Sequence, residues 1–257
     1  MIGRLWRRRS LVLTLVRRQY QLRYRQSFIG LAWAFIPPLA TLGAATLVFG
    51  EVIGVDTGKT PYAIFAFAAL VPWAFFANSL IFGVPSIVNA DSMVRRLAFP
   101  RAALPLSSVG AAVLDLVIAA GIFVILAYWT GLGIPATAVL FPVILLIETV
   151  FIVGIVLLGS ALNVFARDVR VAVPLVTQVW LLVTPVMYPL DSVPAGLRFW
   201  FQLNPMTGVV EMSRRVIVDG RLPDAGLLLG TLFGAVAVLL LGYWYFSATE
   251  RRFTDVI

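Results

Sequence analysis

Six long stretches of this sequence carry no charged residue or only a single acid, and this feature constrains the fold more than any other. A helix needs about 20 apolar residues to cross the hydrocarbon core of a bilayer. Because 61% of the 257 residues are hydrophobic, against about 45–50% in a soluble domain, we predict an all-α integral membrane protein. The six predicted transmembrane helices belong to a single membrane domain, residues 1–257, and cover residues 28–50, 61–88, 102–129, 135–163, 171–188 and 225–248.

The segment ahead of the first span, residues 4–27, predicts an amphipathic helix. At 3.6 residues per turn, one face of this helix carries the polar residues Thr14, Arg17, Arg18, Gln21 and Arg25. Most of the other positions from 11 to 24 are apolar. A basic amphipathic helix lies on a membrane surface, so we predict an interface helix that leads into the first span. A positive anchor that only fixes the orientation of the chain would show the same pattern.

The distribution of basic residues predicts the orientation of the spans. Six spans place both termini on one side of the membrane, together with the connections that follow the second and fourth spans. Fifteen of the 20 lysines and arginines fall on that side and five on the other. Because basic residues are enriched in cytoplasmic loops, we predict that both termini are cytoplasmic.

The connection between the fifth and sixth spans, residues 189–224, is unusually apolar for a loop. Leu197 to Leu203 and Val209 to Val218 are each too short to cross a membrane, and Asn204-Pro205 separates them. Two short re-entrant helices, broken at this dipeptide, would satisfy their own backbone hydrogen bonds. Two helices lying flat on the membrane surface are the alternative, which the composition alone slightly favours.

The residue inventory excludes several kinds of chemistry. The chain contains no cysteine and no histidine, which removes disulfides, thiolate and imidazole metal sites, and Ser/His or Cys/His catalysis. Gly58-Lys59-Thr60 resembles the end of a phosphate-binding loop, but Ile53 stands where that motif requires glycine. We therefore expect no cofactor in this chain. The net charge of +8 comes from short arginine runs between apolar stretches, so we expect no nucleic-acid partner.

Asp115 and Glu148 are acids placed well inside the predicted spans. An ionisable group at that depth is costly and is a functional candidate by default. At about 1.5 Å per residue, the two acids lie at similar depths and could face one another. They could form a proton relay, a clamp between helices that uses a partner such as Gln178, or part of a water-filled cavity.

Two further features suggest contacts with a substrate or a partner. Aromatic rings stack on sugars, and Trp33 and Tyr188 are the best candidates because they lie near span ends that could face a pore. Most aromatic residues in membrane proteins nevertheless pack in the interior or lie at the interface. The short basic loop from Asp91 to Arg101 could dock on a cytoplasmic partner, or it could be an ordinary positive-inside loop.

Five short motifs follow one another along the chain. They are Tyr24-Arg25-Gln26-Ser27 with Leu31, Trp33 and Pro37; Arg95 to Arg101 with Leu104-Pro105; Asn163 to Asp168; Thr184 to Pro189; and Leu203 to Met206. Each motif is weak alone. In this order they resemble the membrane subunit of type 2 ABC exporters, most closely the permeases for lipid-linked polysaccharides such as O-antigen or teichoic acid.

This resemblance implies a pore made by two copies of the chain and paired with two ATP-binding cassette ATPase subunits, which would bind ATP and Mg²⁺. It implies a bacterial plasma or inner membrane, with membrane lipid around the spans and an interface helix that carries Arg17, Arg18 and Arg25. Contacts with the ATPases are implied for Arg95, Arg96, Phe99, Pro100, Arg101, Arg167, Asp168 and Arg170. The substrate path and gate would include Trp33, Tyr188, Pro189, Asn204 and Pro205, with residues 189–224 as the re-entrant gate region.

The resemblance leads us to expect a permease without enzymatic activity that exports a lipid-linked glycan. The same fold also serves exporters of drugs and lipids, so a permease for such molecules is the nearest alternative. A proton-coupled secondary transporter that uses Asp115 and Glu148 is a further alternative, although the sequence has no evident internal inverted repeat.

Overall fold

The computed structural model describes residues 9–24, 36–58, 60–96 and 99–256 of the chain. Every regular element in these ranges is helical. We number the helices α1 (Arg9–Tyr24), α2 (Ile36–Ala45), α3 (Tyr62–Gly83), α4 (Asp91–Arg96), α5 (Ala103–Trp129), α6 (Phe141–Phe165), α7 (Asp168–Val183), α8 (Ala195–Gln202), α9 (Pro205–Ile217), α10 (Ala225–Thr249) and α11 (Phe253–Val256).

Among the described residues, four segments are long and apolar enough to cross a membrane, once the short 3-10 turns next to the α-helices are included. They coincide to within a few residues with the predicted second, third, fourth and sixth spans, and they are Tyr62–Ser86, Ala103–Trp129, Ala136–Phe165 and Ala225–Arg252.

The first and fifth spans are not confirmed. Of the first, the structure describes α2 and the π-helical Thr46–Val52 that continues it, 17 residues in all. Of the fifth, predicted for residues 171–188, the structure gives the 16-residue α7, about 24 Å long against a core of about 30 Å. The predicted C-terminal end of this helix at residue 188 was wrong, because α7 ends at Val183. The next residue, Thr184, has an extended backbone with φ −99° and ψ 133°, as expected for a residue before proline.

Helix α3 lies at the centre of the bundle and packs against α5, α6 and α9. The side chains of Phe67, Phe75 and Phe76 on α3 are fully or almost fully buried. The Phe76 ring stacks on Phe151 of α6 with centroids 5.9 Å apart, and Trp180 of α7 meets Phe76 edge-on at 5.0 Å. Aromatic packing therefore joins α3, α6 and α7 in the middle of the bundle.

Helices α6 and α10 cross in backbone contact. A Cβ on Gly154 would lie 2.6 Å from the backbone nitrogen of Leu239, and one on Gly242 would collide with the backbone of Gly154. Small residues at a crossing allow helices in a membrane to approach this closely. The two helices therefore form a tightly joined pair along one side of the molecule.

The chain between α7 and α10 forms a helical hairpin that enters the bundle. Its two helices are α8 and α9, separated at Asn204-Pro205 as predicted. The Pro205 ring approaches Gly234, which lies nine residues, or about 14 Å, along α10 from Ala225. Most of α9 is buried against α3, α6 and α10. A pair of flat surface helices, the alternative for this segment, would not bury α9 in this way.

The segments predicted to be cytoplasmic gather at one end of the bundle, which we call the charged end. It includes α1, α4, the turn between α6 and α7, and residues 250–252. A separate apolar cluster lies beneath them and contains Leu15 of α1, Leu104 of α5, Phe246 and Phe253, and the last two rings meet edge-on with centroids 5.4 Å apart. Because the two described chain termini share this cluster, they lie at the same end of the molecule, as an even number of spans requires.

Candidate functional site

A groove of about 410 Å³, which we call the central groove, opens between α2, α3, α5 and α7. It runs beside the half of α3 nearest the charged end. Its lining is mainly apolar, with Asn78 and Asp115 as the conspicuous polar groups. The lining residues are Pro37, Pro38, Thr41, Leu70, Trp73, Ala74, Phe75, Asn78, Phe82, Asp115, Leu116, Ala119 and Leu181.

The two intramembrane acids lie in different surroundings. Asp115 is 7% exposed and borders the central groove, as one of its predicted roles requires. Glu148 is fully buried and does not line this groove. Within the described part of the chain, neither carboxyl oxygen of Glu148 has a hydrogen-bond partner. The suggested partner Gln178 lies on an exposed face of α7, so the structure gives no support for a Glu148–Gln178 clamp.

A second cavity of about 260 Å³, which we call the basal cavity, lies at the charged end. Helix α1 forms one wall and the end of α3 forms the other. Phe82 lines both the basal cavity and the central groove, so the two spaces are neighbours. The lining residues are Leu15, Arg18, Gln19, Phe82, Pro85, Ser86, Asn89, Ala90 and Leu104.

Helix α1 has the amphipathic arrangement that its sequence predicts. The side chains of Arg17, Arg18 and Gln21 are exposed and Leu15 is buried, whereas Leu13 is an exception and is 67% exposed. The helix packs against α5, where a Cβ on Gly110 would lie 2.8 Å from Val16. The predicted site residues Arg25 and Trp33, and the side chain of Arg96, lie outside the described residues.

Asn204 connects the tip of the hairpin to α7. Its Oδ1 accepts hydrogen bonds from Trp180 Nε1 and from the backbone N–H of Met206, both at 3.1 Å, and its Nδ2 donates to Thr184 Oγ1 at 2.9 Å. The bond to Met206 caps α9, and Pro205 occupies the first position of that helix. The predicted gate residue Asn204 therefore holds the hairpin against α7, while Pro205 begins α9 and faces α10.

The connection that follows α7 is held by Arg214 of α9. This side chain is 3% exposed. Its guanidinium donates to the carbonyl oxygens of Phe65, Pro185, Val186 and Tyr188, over distances of 2.5 to 3.4 Å. It also lies 3.7 Å from the centroid of the Phe65 ring. Burial lowers the pKa of Arg214 to about 10, so the group remains a cation at neutral pH.

The other predicted gate residues belong to this same connection. The Tyr188 hydroxyl donates to the Leu182 carbonyl at 2.7 Å, which ties the connection back to the end of α7. Tyr188 and Pro189 are half-buried. The Tyr62 hydroxyl donates to the Met187 carbonyl at 2.8 Å. Residues 184–189 are thus bound from α3, α7 and α9.

The residues predicted to contact an ATPase lie in two groups at the charged end. Arg95 on α4 is exposed, Phe99 is half-buried and Pro100 is buried. The backbone N–H of Arg101 donates to Glu250 Oε1 at 3.3 Å, and its guanidinium donates to the Glu250 carbonyl. In the second group, Arg167, Asp168 and Arg170 are exposed. The backbone N–H of Arg170 donates to Asn163 Oδ1 at 3.1 Å, and this hydrogen bond closes the turn between α6 and α7.

The model of one membrane-protein family, described as ABC-2 type transporter, matches residues 10–218. The chain belongs to this family. The family match spans α1 to α9 and so includes the amphipathic helix α1, the central groove and the hairpin. The protein is therefore a membrane-embedded permease, a transport subunit, and its helical structure agrees with a multi-pass protein of the inner membrane.

Similar proteins bear names that refer to O-antigen export. The permease is 28% identical over 259 residues to the O-antigen export system permease protein RfbA of Myxococcus xanthus, covering 100% of this chain and 99% of that protein. Two Klebsiella pneumoniae proteins of the same name are 23% and 24% identical over 250 residues, covering 96% of this chain and 95% of each.

Sequence reasoning missed the role of Arg214, which it counted as one of five basic residues in outer connections. The available signal was its helical spacing, four residues after Val210 and three before Ile217, which puts it on the apolar face of the segment Val209 to Val218. A cation on such a face needs several acceptors, and the carbonyl groups around Pro185 supply them.

Proposed function

We propose that this permease moves a lipid-linked polysaccharide, such as O-antigen, teichoic acid or a galactan-like glycan, from the cytoplasmic side across the inner membrane. The observation that carries the proposal is the full-length similarity to permeases named for O-antigen export. Drug and lipid permeases are an alternative within the same family, and the mainly apolar lining of the central groove is the feature that would suit their substrates.

The working unit in this proposal contains two copies of the permease and two ATPase subunits. ATP and Mg²⁺ would be bound by the ATPases, since the permease sequence lacks a phosphate-binding loop. Both termini would be cytoplasmic, so the charged end would face the ATPases. The exposed residues Arg95, Arg167 and Arg170 would then make direct contact with them.

Movement at the charged end has a structural route to the opposite end. Arg101 and Glu250 join the start of α5 to the end of α10. Helix α10 in turn packs against α9, whose Arg214 binds the connection of residues 184–189. In the proposed cycle, ATP binding and hydrolysis shift α5 and α10, and the hairpin opens a path for the glycan.

The proposal is tested by depleting the permease in its host and following labelled sugar into lipid-linked glycan. We expect the labelled glycan to collect on the cytoplasmic side of the membrane while surface polymer is lost. Re-expression of the wild-type permease should restore the surface polymer, whereas re-expression with an inactive ATPase should not. Normal surface glycan with nothing trapped inside would refute glycan export and would favour drug or lipid substrates.

A further inference from the structure

We propose that the basal cavity binds the phosphate group of a membrane-embedded lipid, and that Arg18 is its main ligand. The inference deepens the proposed function, because a lipid-linked glycan is joined to its lipid through such a group. An anionic phospholipid offers the same chemistry, and the experiment below distinguishes the two sources.

Among the described residues, the guanidinium of Arg18 uses little of its hydrogen-bonding capacity. It carries five N–H donors, and its one acceptor among the described residues is the Sδ of Met93 at 3.5 Å. A thioether is a weak acceptor. Arginine binds phosphate oxygens in a bidentate manner with strong, charge-assisted hydrogen bonds. A phosphate group would therefore replace a weak contact with strong ones.

Two amide side chains complete the polar rim of the basal cavity. Gln19 of α1 and Asn89, which follows α3, both line it, and neither side-chain amide makes a hydrogen bond to another residue that the structure describes. Each amide can donate two hydrogen bonds. No carboxylate is among the described lining residues, so nothing in this lining repels an anion.

The floor of the basal cavity is apolar. It is formed by Leu15 and Leu104, which are buried in the cluster at the charged end, and the more exposed Phe82 ring adds a further apolar surface. A polar rim above an apolar floor suits an amphiphile, whereas free phosphate would gain nothing from the floor. The volume of about 260 Å³ fits a head group and not a polysaccharide.

The position of the cavity agrees with a lipid ligand. Helix α1 is a basic amphipathic helix, which lies at the level of the lipid head groups, and basic pockets on the cytoplasmic side of membrane proteins bind lipid phosphates. Phe82 separates the basal cavity from the central groove. A lipid whose phosphate is held by Arg18 would thus have the groove beside it.

The test is a binding measurement on the purified full-length permease in detergent, with tritiated farnesyl diphosphate as a short prenyl diphosphate. We expect Arg18→Gln to weaken binding about tenfold or more, because it removes charge-assisted bonds. Arg17→Gln is the matched control, since Arg17 is exposed on the same helix and does not line the cavity. It should change the affinity less than twofold. Equal losses in the two variants, or none in Arg18→Gln, would overturn the proposal.

Phosphatidylglycerol identifies the source of the phosphate. If phosphatidylglycerol does not displace farnesyl diphosphate at equal concentration, the site selects a prenyl diphosphate. If phosphatidylglycerol does displace it, and Arg18→Gln weakens the binding of both lipids to the same extent, the site holds membrane phospholipid. Should Arg18→Gln fail to fold, Asn89→Leu is expected to weaken binding severalfold, and unchanged binding would count against the site. No ATPase or glycan is present in this binding assay. Absence of phosphate binding would therefore not refute glycan export, and a refutation of glycan export would not change the binding result.

Discussion

The Arg214 guanidinium lies where α3, α9 and the connection after α7 meet, and it is held by four carbonyl oxygens and the Phe65 ring. Backbone carbonyls near Pro185 have few other donors, because proline lacks an N–H and interrupts the helix. At the residue scale, this one side chain satisfies backbone groups that would otherwise be buried without partners.

Replacement of Arg214 is expected to destabilise the permease strongly. Arg214→Leu leaves the carbonyl groups of Pro185 and Val186 without a donor, at a cost of about 3 kcal/mol or more in the free energy of unfolding. Arg214→Lys should recover only part of this, since an ammonium group lacks the planar fork. Denaturant unfolding of the purified protein in detergent measures the effect.

Arg215 supplies the control for Arg214. Its Nε lies 3.8 Å from Glu211 Oε1, and the two side chains are 36% and 22% exposed. A partly exposed pair of this kind contributes about 0–1 kcal/mol. If Arg215→Ala destabilised the protein as much as Arg214→Leu, the carbonyl contacts would not explain the effect.

Neutralisation of the two intramembrane acids separates the transport mechanisms. In an ATP-driven permease, the double variant Asp115→Asn and Glu148→Gln should keep most of its export, because no step requires either carboxyl group to exchange a proton. Surface glycan and protein level are measured together. Complete loss of export in a variant that is present at the wild-type level would support proton coupling instead.

At the scale of elements, the sequence predicted the four long spans well, because apolar length alone determines them. It also predicted the break at Asn204-Pro205. It placed the end of the fifth span five residues too late, since apolar content continues past the point where Pro185 ends the helix. The burial of Arg214 and the contact between Gly154 and Gly242 depend on which helices become neighbours, and no local pattern specifies that.

The crossing of α6 and α10 predicts that alanine substitutions at two glycines of α10 have very different effects on stability. A methyl group on Gly242 would meet the backbone of Gly154, whereas one on Gly230 would meet nothing within 4 Å. Gly242→Ala should therefore lower stability by about 1–3 kcal/mol, and Gly230→Ala should not lower it. Thermal unfolding in detergent compares them; similar melting temperatures would show that the crossing can relax.

The contacts of the charged end predict different effects for two arginines of the same loop. Arg95 is exposed, so Arg95→Ala should reduce export and leave the melting temperature unchanged. Arg101 donates hydrogen bonds to Glu250, so Arg101→Ala should reduce both the export and the melting temperature. Normal export in Arg95→Ala would contradict its predicted contact with an ATPase.

At the scale of the whole molecule, the arrangement of the helices agrees with an even number of spans. The loops rich in arginine gather at one end and the connection of residues 184–194 lies at the other. Which end faces the cytoplasm is an expectation from the count of basic residues. The chain contains no cysteine, so single cysteines can report on this directly.

Two exposed serines at opposite ends provide the matched pair. In spheroplasts, Ser192→Cys should react with a membrane-impermeant maleimide, whereas Ser92→Cys should react only after the membrane is permeabilised. The opposite pattern would reverse the orientation of the permease, and labelling of both positions in intact spheroplasts would contradict the proposed topology.

The backbone contact between α6 and α10 also limits how the molecule can change shape. Helix α6 leads into the turn with Arg167, and α10 is followed directly by Glu250, which is bonded to Arg101. Both sets of loops proposed to touch an ATPase are therefore attached to one pair of helices that has no free space between its backbones. We expect such a pair to move as a rigid body, which would place the hinges of a transport cycle where side chains and not backbones separate the helices.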